Sequence, residues 1–187
     1  MTQQFLKIFL LFSALVHINA QTSNCAPPPS LLPEQCCAIP SFFNDADLIK
    51  CKTASNIELS RVKRFATSRM ELGTCYLHCV FESTGVTLGG GRVLDTNKLL
   101  QILSKETPNE PQTLQVISAA VSHCINDLNS GTMKIRSPTL YNCSTIPSAI
   151  MSCVHKNFFL NCPSNRFQAT SQCYQLKDYI QRCAVTI

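Results

Sequence analysis

Cys75-Tyr76-Leu77-His78-Cys79 lies inside a helical run from about Ser68 to Ser83. Cysteines four apart on a helix project from one face, one turn above the other. Their Cβ vectors run side by side, which is poor geometry for a bond between them. Each is therefore predicted to reach a different neighbouring segment. A helix crosslinked to two partners belongs in the middle of a fold.

The partners are plentiful. The chain has 187 residues, 12 Cys and no Trp. Ahead of every cysteine, Ile8-Phe9-Leu10-Leu11-Phe12-Ser13-Ala14-Leu15-Val16 forms an apolar run after Lys7, and Ile18-Asn19-Ala20 ends on a small residue. This pattern predicts a secretory signal peptide over residues 1–20, cleaved after Ala20. The run is shorter than the roughly 20 residues a membrane span needs, so no membrane insertion is expected. Residues 21–187 read as one secreted, extracellular domain. In an oxidising compartment an even set of 12 cysteines predicts about six disulfides.

The net charge of +5 is spread along the sequence. The densest cluster, Arg61, Lys63, Arg64 and Arg69, is diluted by Glu58 and Glu71 and reads as a solvated helix face. Arg61-Val62-Lys63-Arg64 also fits a dibasic processing site, which helix would protect. Nucleic-acid binding would need a stronger basic stripe interleaved with aromatics, so it is not expected.

Gln21 to Pro40 is Pro-rich, carries Cys25, Cys36 and Cys37, and cannot be a long helix. It reads as an extended arm pinned by its cysteines, with adjacent Cys36 and Cys37 going to different partners. Asn44 or Asp45 caps a helix bearing Leu48, Ile49 and Cys51. Ile57 to Ala66 predicts a short second helix. The central helix ends at Gly85, a natural residue just past a C-terminus. Gly89-Gly90-Gly91 is a loop; Arg92-Val93-Leu94 follows it in place of the Lys-Ser/Thr of a phosphate-binding loop. Asp95 or Thr96 caps a helix through Leu99, Leu100 and Leu103. Pro111 opens another to about Leu128, with the stripe Leu114, Ile117, Val121, Cys124, Leu128. Thr132 to Thr145 is irregular. Pro147 opens a helix with Ile150, Met151, Cys153, Val154 and Phe158, and Pro163 ends it. An extra C-terminal helix, about 165–183, places Cys173, Leu176, Ile180 and Cys183 on one face. No stretch shows sustained β alternation. The expected fold is all-α, a compact bundle of about six to seven short helices.

From Cys51 the intervening residues number 23 to Cys75, 3 to Cys79, 44 to Cys124, 18 to Cys143, 9 to Cys153, 8 to Cys162 and 10 to Cys173. The Cys-x3-Cys with the later Cys-x8-Cys resembles the signature of insect odorant-binding proteins. Cys143, Pro163 directly after Cys162, and Cys173 resemble the Plus-C group of that family. The run Cys75 to Gly85 is similar to that family's central helix. The resemblance spans about Cys51 to Cys173. It implies helices packed around an apolar cavity, with bridges Cys51–Cys79, Cys75–Cys153 and Cys124–Cys162, and Cys143–Cys173 as the added pair. Cys25, Cys36, Cys37 and Cys183 are left for two bridges that tie the arm to the last helix; spacing does not choose between pairings.

The implied function is a secreted carrier of small hydrophobic ligands, odorants or pheromone-like volatiles in sensory lymph. An odorant receptor or a second copy of the chain are the protein partners this allows. Such a cavity needs apolar lining with few polar anchors. Inner-face candidates are Tyr76, Val80, Leu100, Leu103, Ile117, Val121, Ile150, Val154 and Phe158; taken singly, each also reads as plain core. The competing reading is a secreted structural or defence protein with a filled core.

No cofactor is implied. His78 and His123 each adjoin a cysteine, but a disulfide sulfur is no thiolate ligand, so no metal site is expected. The order Cys75-x-x-His78-Cys79 is faintly similar to the Cys-Cys-x-x-His-Asp-x-Cys of secreted phospholipases A2. Cys79 stands where that chemistry needs Asp. With no Gly-x-Ser-x-Gly elbow either, the chain reads as a non-enzyme. His78, His123 and His155 change charge near neutral pH and are candidates for loosening a helix on acidification. Asn142-Cys143-Ser144 matches a glycosylation sequon around a cysteine expected to be bridged.

Overall fold

The computed structural model describes residues 25, 29–52, 69–88, 93–105, 107, 109–135, 139–140 and 143–183. The expected signal peptide, the helix over 57–66, most of the basic cluster, the Gly89-Gly90-Gly91 loop and Asn142 lie outside them. The described residues form seven helical segments: α1 Pro33–Cys36, α2 over residues 45–52, α3 Arg69–Ser83, α4 Thr96–Lys105, α5 Pro111–Asn129, α6 Ile146–Leu160 and α7 Ser171–Arg182. Two short antiparallel ribbons accompany them: β1 Thr87–Leu88 with β2 Val93–Leu94, and β3 Thr139–Leu140 with β4 Cys143–Ser144. The all-α bundle is as expected; the ribbons are each only two residues long.

The helix ends follow local chemistry. The Asn44 side chain accepts from the Asp47 N–H, so Asn44 is the cap of α2. Asp95 does the same for Lys98 at the start of α4, and Thr170 for Cys173 at α7. Pro111 and Pro147 sit in first turns, where no helical N–H is lost. Helix α3 stops at Gly85, whose φ is +71°. Gly85 N–H donates to Glu82 O and Val86 N–H to Phe81 O, the paired bonds of a Schellman motif. Val86 and Phe81 are both fully buried, so the motif also turns the chain back into the core.

Helix α6 packs against α3, α5 and α7, and α4 packs on α5. Helix α3 meets α6 and elements of both ribbons. The centre of the bundle is therefore shared between α3 and α6. One apolar cluster runs through it, including Val80, Phe81, Leu99, Leu103, Ile117, Val121, Ile150, Val154, Phe158 and Phe159.

All 12 cysteines are bonded, with Cα–Cα separations from 5.1 to 6.1 Å. Cys51–Cys79 is the pair carried over from the family resemblance. The other three carried-over pairs are replaced. Cys75 bonds Cys143, because β4 lies directly against α3. Cys153 bonds Cys124, because α5 and α6 run along one another and bring these two together. Cys162 and Cys173 are both taken by the N-terminal arm, as Cys37–Cys162 and Cys36–Cys173. Cys25–Cys183 ties the arm's beginning to the end of α7. Cys75 and Cys79 thus reach different segments, as their one-turn spacing requires.

The arm is a strap laid across the bundle. Cys37 pairs with Phe167 in an isolated bridge, Ala38 N–H donates to Arg166 O, and Gln168 N–H donates to Cys36 O. Arg166 reinforces this junction. Its guanidinium donates two bonds to Glu110, 2.7 and 2.6 Å, and a third to Ala38 O. Those bonds, with one from Thr113, hold the Glu110 carboxyl below its usual range. One side chain therefore joins the strap, the loop after α6 and the start of α5.

Candidate functional site

The nine apolar candidates converge from four elements. Tyr76 and Val80 come from α3, Leu100 and Leu103 from α4, Ile117 and Val121 from α5, and Ile150, Val154 and Phe158 from α6. Helical spacing of three and four along each helix puts these positions on the face turned inward. Val80, Leu103, Ile117, Val121, Ile150, Val154 and Phe158 have no exposed surface. Tyr76 and Leu100 are half-buried and pack against the same cluster. All nine thus share one region, with seven at its centre and two at its margin.

Zero exposure carries a further meaning. A side chain beside a water-sized void would retain some accessible surface, so these seven are in close contact on every side. A guest lodging among them has to part side chains that are now touching. The polar features at the margin are few. Burial pushes the Tyr76 phenol above its usual range. His155 stands on α6 one residue after Val154, and its burial lowers its pKa below the ordinary 6.5, with Glu34 acting weakly the other way.

The other two histidines have different tasks. His78 Nδ1 accepts from the Ser144 N–H at 3.3 Å, and its Nε2 faces Glu82 at 3.5 Å. It therefore helps bind α3 to β4 beside the Cys75–Cys143 bridge. His123 is exposed and lies 3.5 Å from Asp127. Among the described residues no group of His, Cys, Asp or Glu is arranged to hold a metal ion. None of their helices is long and apolar enough to cross a membrane.

Two residues that sequence reasoning passed over occupy the same region. Phe42 and Phe43, in the strap just before the α2 cap, are 5% and 6% exposed. The Phe42 ring lies 5.2 Å from the His155 imidazole and 6.3 Å, edge-on, from Phe158. The Phe43 ring is 5.8 Å from Phe81. The available signal was two adjacent aromatics between Pro40 and a capping Asn44. A separate open groove of about 350 Å³ lies on the outer side of α5 and α6, lined by Gln115, Val116, Ala119, Ala120, His123, Asn157 and Asn161. It contains none of the nine candidates, and its wall mixes Val116, Ala119 and Ala120 with four polar side chains.

Residues 40–179 match the protein family described as AgamOBP47-like. The chain belongs to that family. Its match begins within the strap and ends within α7, so it takes in every helix from α2 to α6. General odorant-binding protein 67 of Anopheles gambiae is 24% identical over 171 residues, covering 91% of this chain and 83% of that protein. For an AgamOBP47-like chain, a helical bundle whose arm is sewn to its last helix by bridges is the frame on which a binding region has to be found. The frame is covalently crosslinked: each bridge contributes about 2–4 kcal/mol by restricting the unfolded chain.

Proposed function

We propose that this chain is a secreted carrier of the Plus-C type for small hydrophobic ligands, odorants or pheromone-like volatiles in sensory lymph. The observation that carries this reading is the AgamOBP47-like match over residues 40–179. The fold supports it in a specific way. Nine apolar side chains from α3, α4, α5 and α6 meet in one region, with Tyr76 and His155 as polar groups near its edge.

The ligand lodges in this region by displacing side chains. Burial of apolar surface contributes roughly 25 cal/mol per Å², which reaches micromolar affinity for a one- or two-ring volatile only when displacement costs little. The disulfide framework keeps the bundle from collapsing or unfolding while its interior rearranges. The N-terminal apolar run and the pairing of all twelve cysteines support the secreted part of this reading.

The absence of exposed surface on seven of the nine candidates favours a second reading, a disulfide-rich structural or defence protein with a filled core. A fluorescent apolar probe separates the two. Saturable binding to the oxidised protein, reversed by small volatiles, is the expected result. A probe signal that rises linearly without saturation, and that volatiles do not displace, would establish the filled core.

A further inference from the structure

A guest has to take its space from some part of this core, and one part is held differently from the rest. Phe158, Val154 and Ile150 are fixed by the backbone ladder of α6, and Ile117 and Val121 by that of α5. Residues 39–43 have no such tether. Ala38 is the last strap residue bonded to the 166–168 segment, and Asn44 begins the α2 cap. Between them, among the described residues, the sole hydrogen bond is internal, from the Ser41 hydroxyl to Phe43 O. Packing of Phe42 and Phe43 holds the segment down.

Its ends cannot drift. Cys37 is bonded to Cys162, and Cys51, on α2, to Cys79. Lifting the two rings therefore breaks no backbone hydrogen bond to another element and releases no anchor. The slot left by Phe42 would be walled by Phe158 and the His155 imidazole, three residues apart on α6. That imidazole has no hydrogen-bond partner among the described residues, and its burial keeps it neutral near pH 7.

We infer that Phe42 and Phe43 occupy the ligand's own place as an intramolecular stand-in, and that a neutral one-ring aromatic bearing a hydroxyl displaces Phe42. The guest ring takes the position against Phe158, and its hydroxyl bonds the His155 imidazole. The slot takes a neutral ring because a charged group there would lie unpaired beside Phe158. This rests on the carrier reading, and it names both the side chain that yields and the chemistry that replaces it.

The chain has no Trp, so Phe42→Trp installs a single fluorescent reporter in the slot. The probe ligand is 4-methylphenol, with toluene as the hydroxyl-free control and calorimetry as the measure of binding. Expected are a red shift of the introduced indole on binding, and, in the unaltered protein, loss of the nuclear Overhauser contacts between the Phe42 ring and the rings of His155 and Phe158. The unaltered protein should prefer 4-methylphenol to toluene roughly tenfold, and His155→Phe should abolish the preference. Binding of 4-methylphenol with the indole unmoved and the Phe42 ring contacts retained would overturn the stand-in while leaving the carrier intact. Binding of a larger apolar dye but not of 4-methylphenol would overturn the ligand class. Failure of both to bind the unaltered protein would overturn the inference and the carrier reading together. If Phe42→Trp does not fold, the Phe42 ring contacts measured in the unaltered protein decide.

Discussion

Gly85 shows how one residue places a whole turn. Its φ of +71° lies where a Cβ crowds the following carbonyl, and the space around it is open, so an added methyl would meet nothing else. Gly85→Ala should therefore cost about 1 kcal/mol through backbone strain alone, read as a shift of the denaturation midpoint with unchanged slope. His155 makes a second prediction. Its folded-state pKa is depressed by burial, so the unfolded chain binds a proton more readily. Stability is then complete above pH 6.5, falls as the pH drops below that value, and levels off below the folded pKa. Denaturation midpoints from pH 8 to pH 5 should show this loss, and His155→Gln should flatten it. A midpoint for the unaltered protein that stays constant across that range would contradict the assignment.

Among the elements, the strap is the part least legible beforehand. Helices α2 to α6 could be read from caps, prolines and spacing: Asn44, Pro111, Pro147 and Gly85 each act through chemistry local to their own turn. Helix α7 begins at Ser171 and not at about 165, because residues 166–168 bond to the strap and Thr170 caps the helix. Disulfide partners are not local. Cys153 and Cys162 sit on and just past the same helix, yet one faces α5 and the other meets the arm. Spacing carries no information about which side of α6 the arm crosses, so only one of the four carried-over pairs is found. The convergence of Val80, Ile117, Val154 and their neighbours was legible, because helical periodicity fixes the inward face. The insertion of Phe42 and Phe43 among them was not, because no period governs an irregular arm. The strap's worth can be measured. Replacing Cys37 and Cys162 together by Ser should cost about 2–4 kcal/mol in unfolding experiments, while far-ultraviolet helicity is retained. A double variant as stable as the parent would mean that the strap's hydrogen bonds and packing suffice without the bridge.

The molecule as a whole combines a covalent frame with a core that has no exposed surface at its centre. Phe158 joins the two themes, since it belongs to the cluster and also touches Phe42. Phe158→Ala should cost about 3–5 kcal/mol because the surroundings relax only partly around the space it leaves. A small aromatic added to that variant should recover part of the loss, read as a rise in the thermal midpoint. The central claim, however, concerns the unaltered protein: that apolar guests enter this interior and are held there. Titration calorimetry with a small hydrophobic volatile, repeated at several temperatures, tests this most directly. The account predicts saturable binding of about one ligand per chain with a negative heat-capacity change, the mark of apolar surface leaving water. Heats that match ligand dilution at every temperature, across a panel of neutral volatiles, would contradict it.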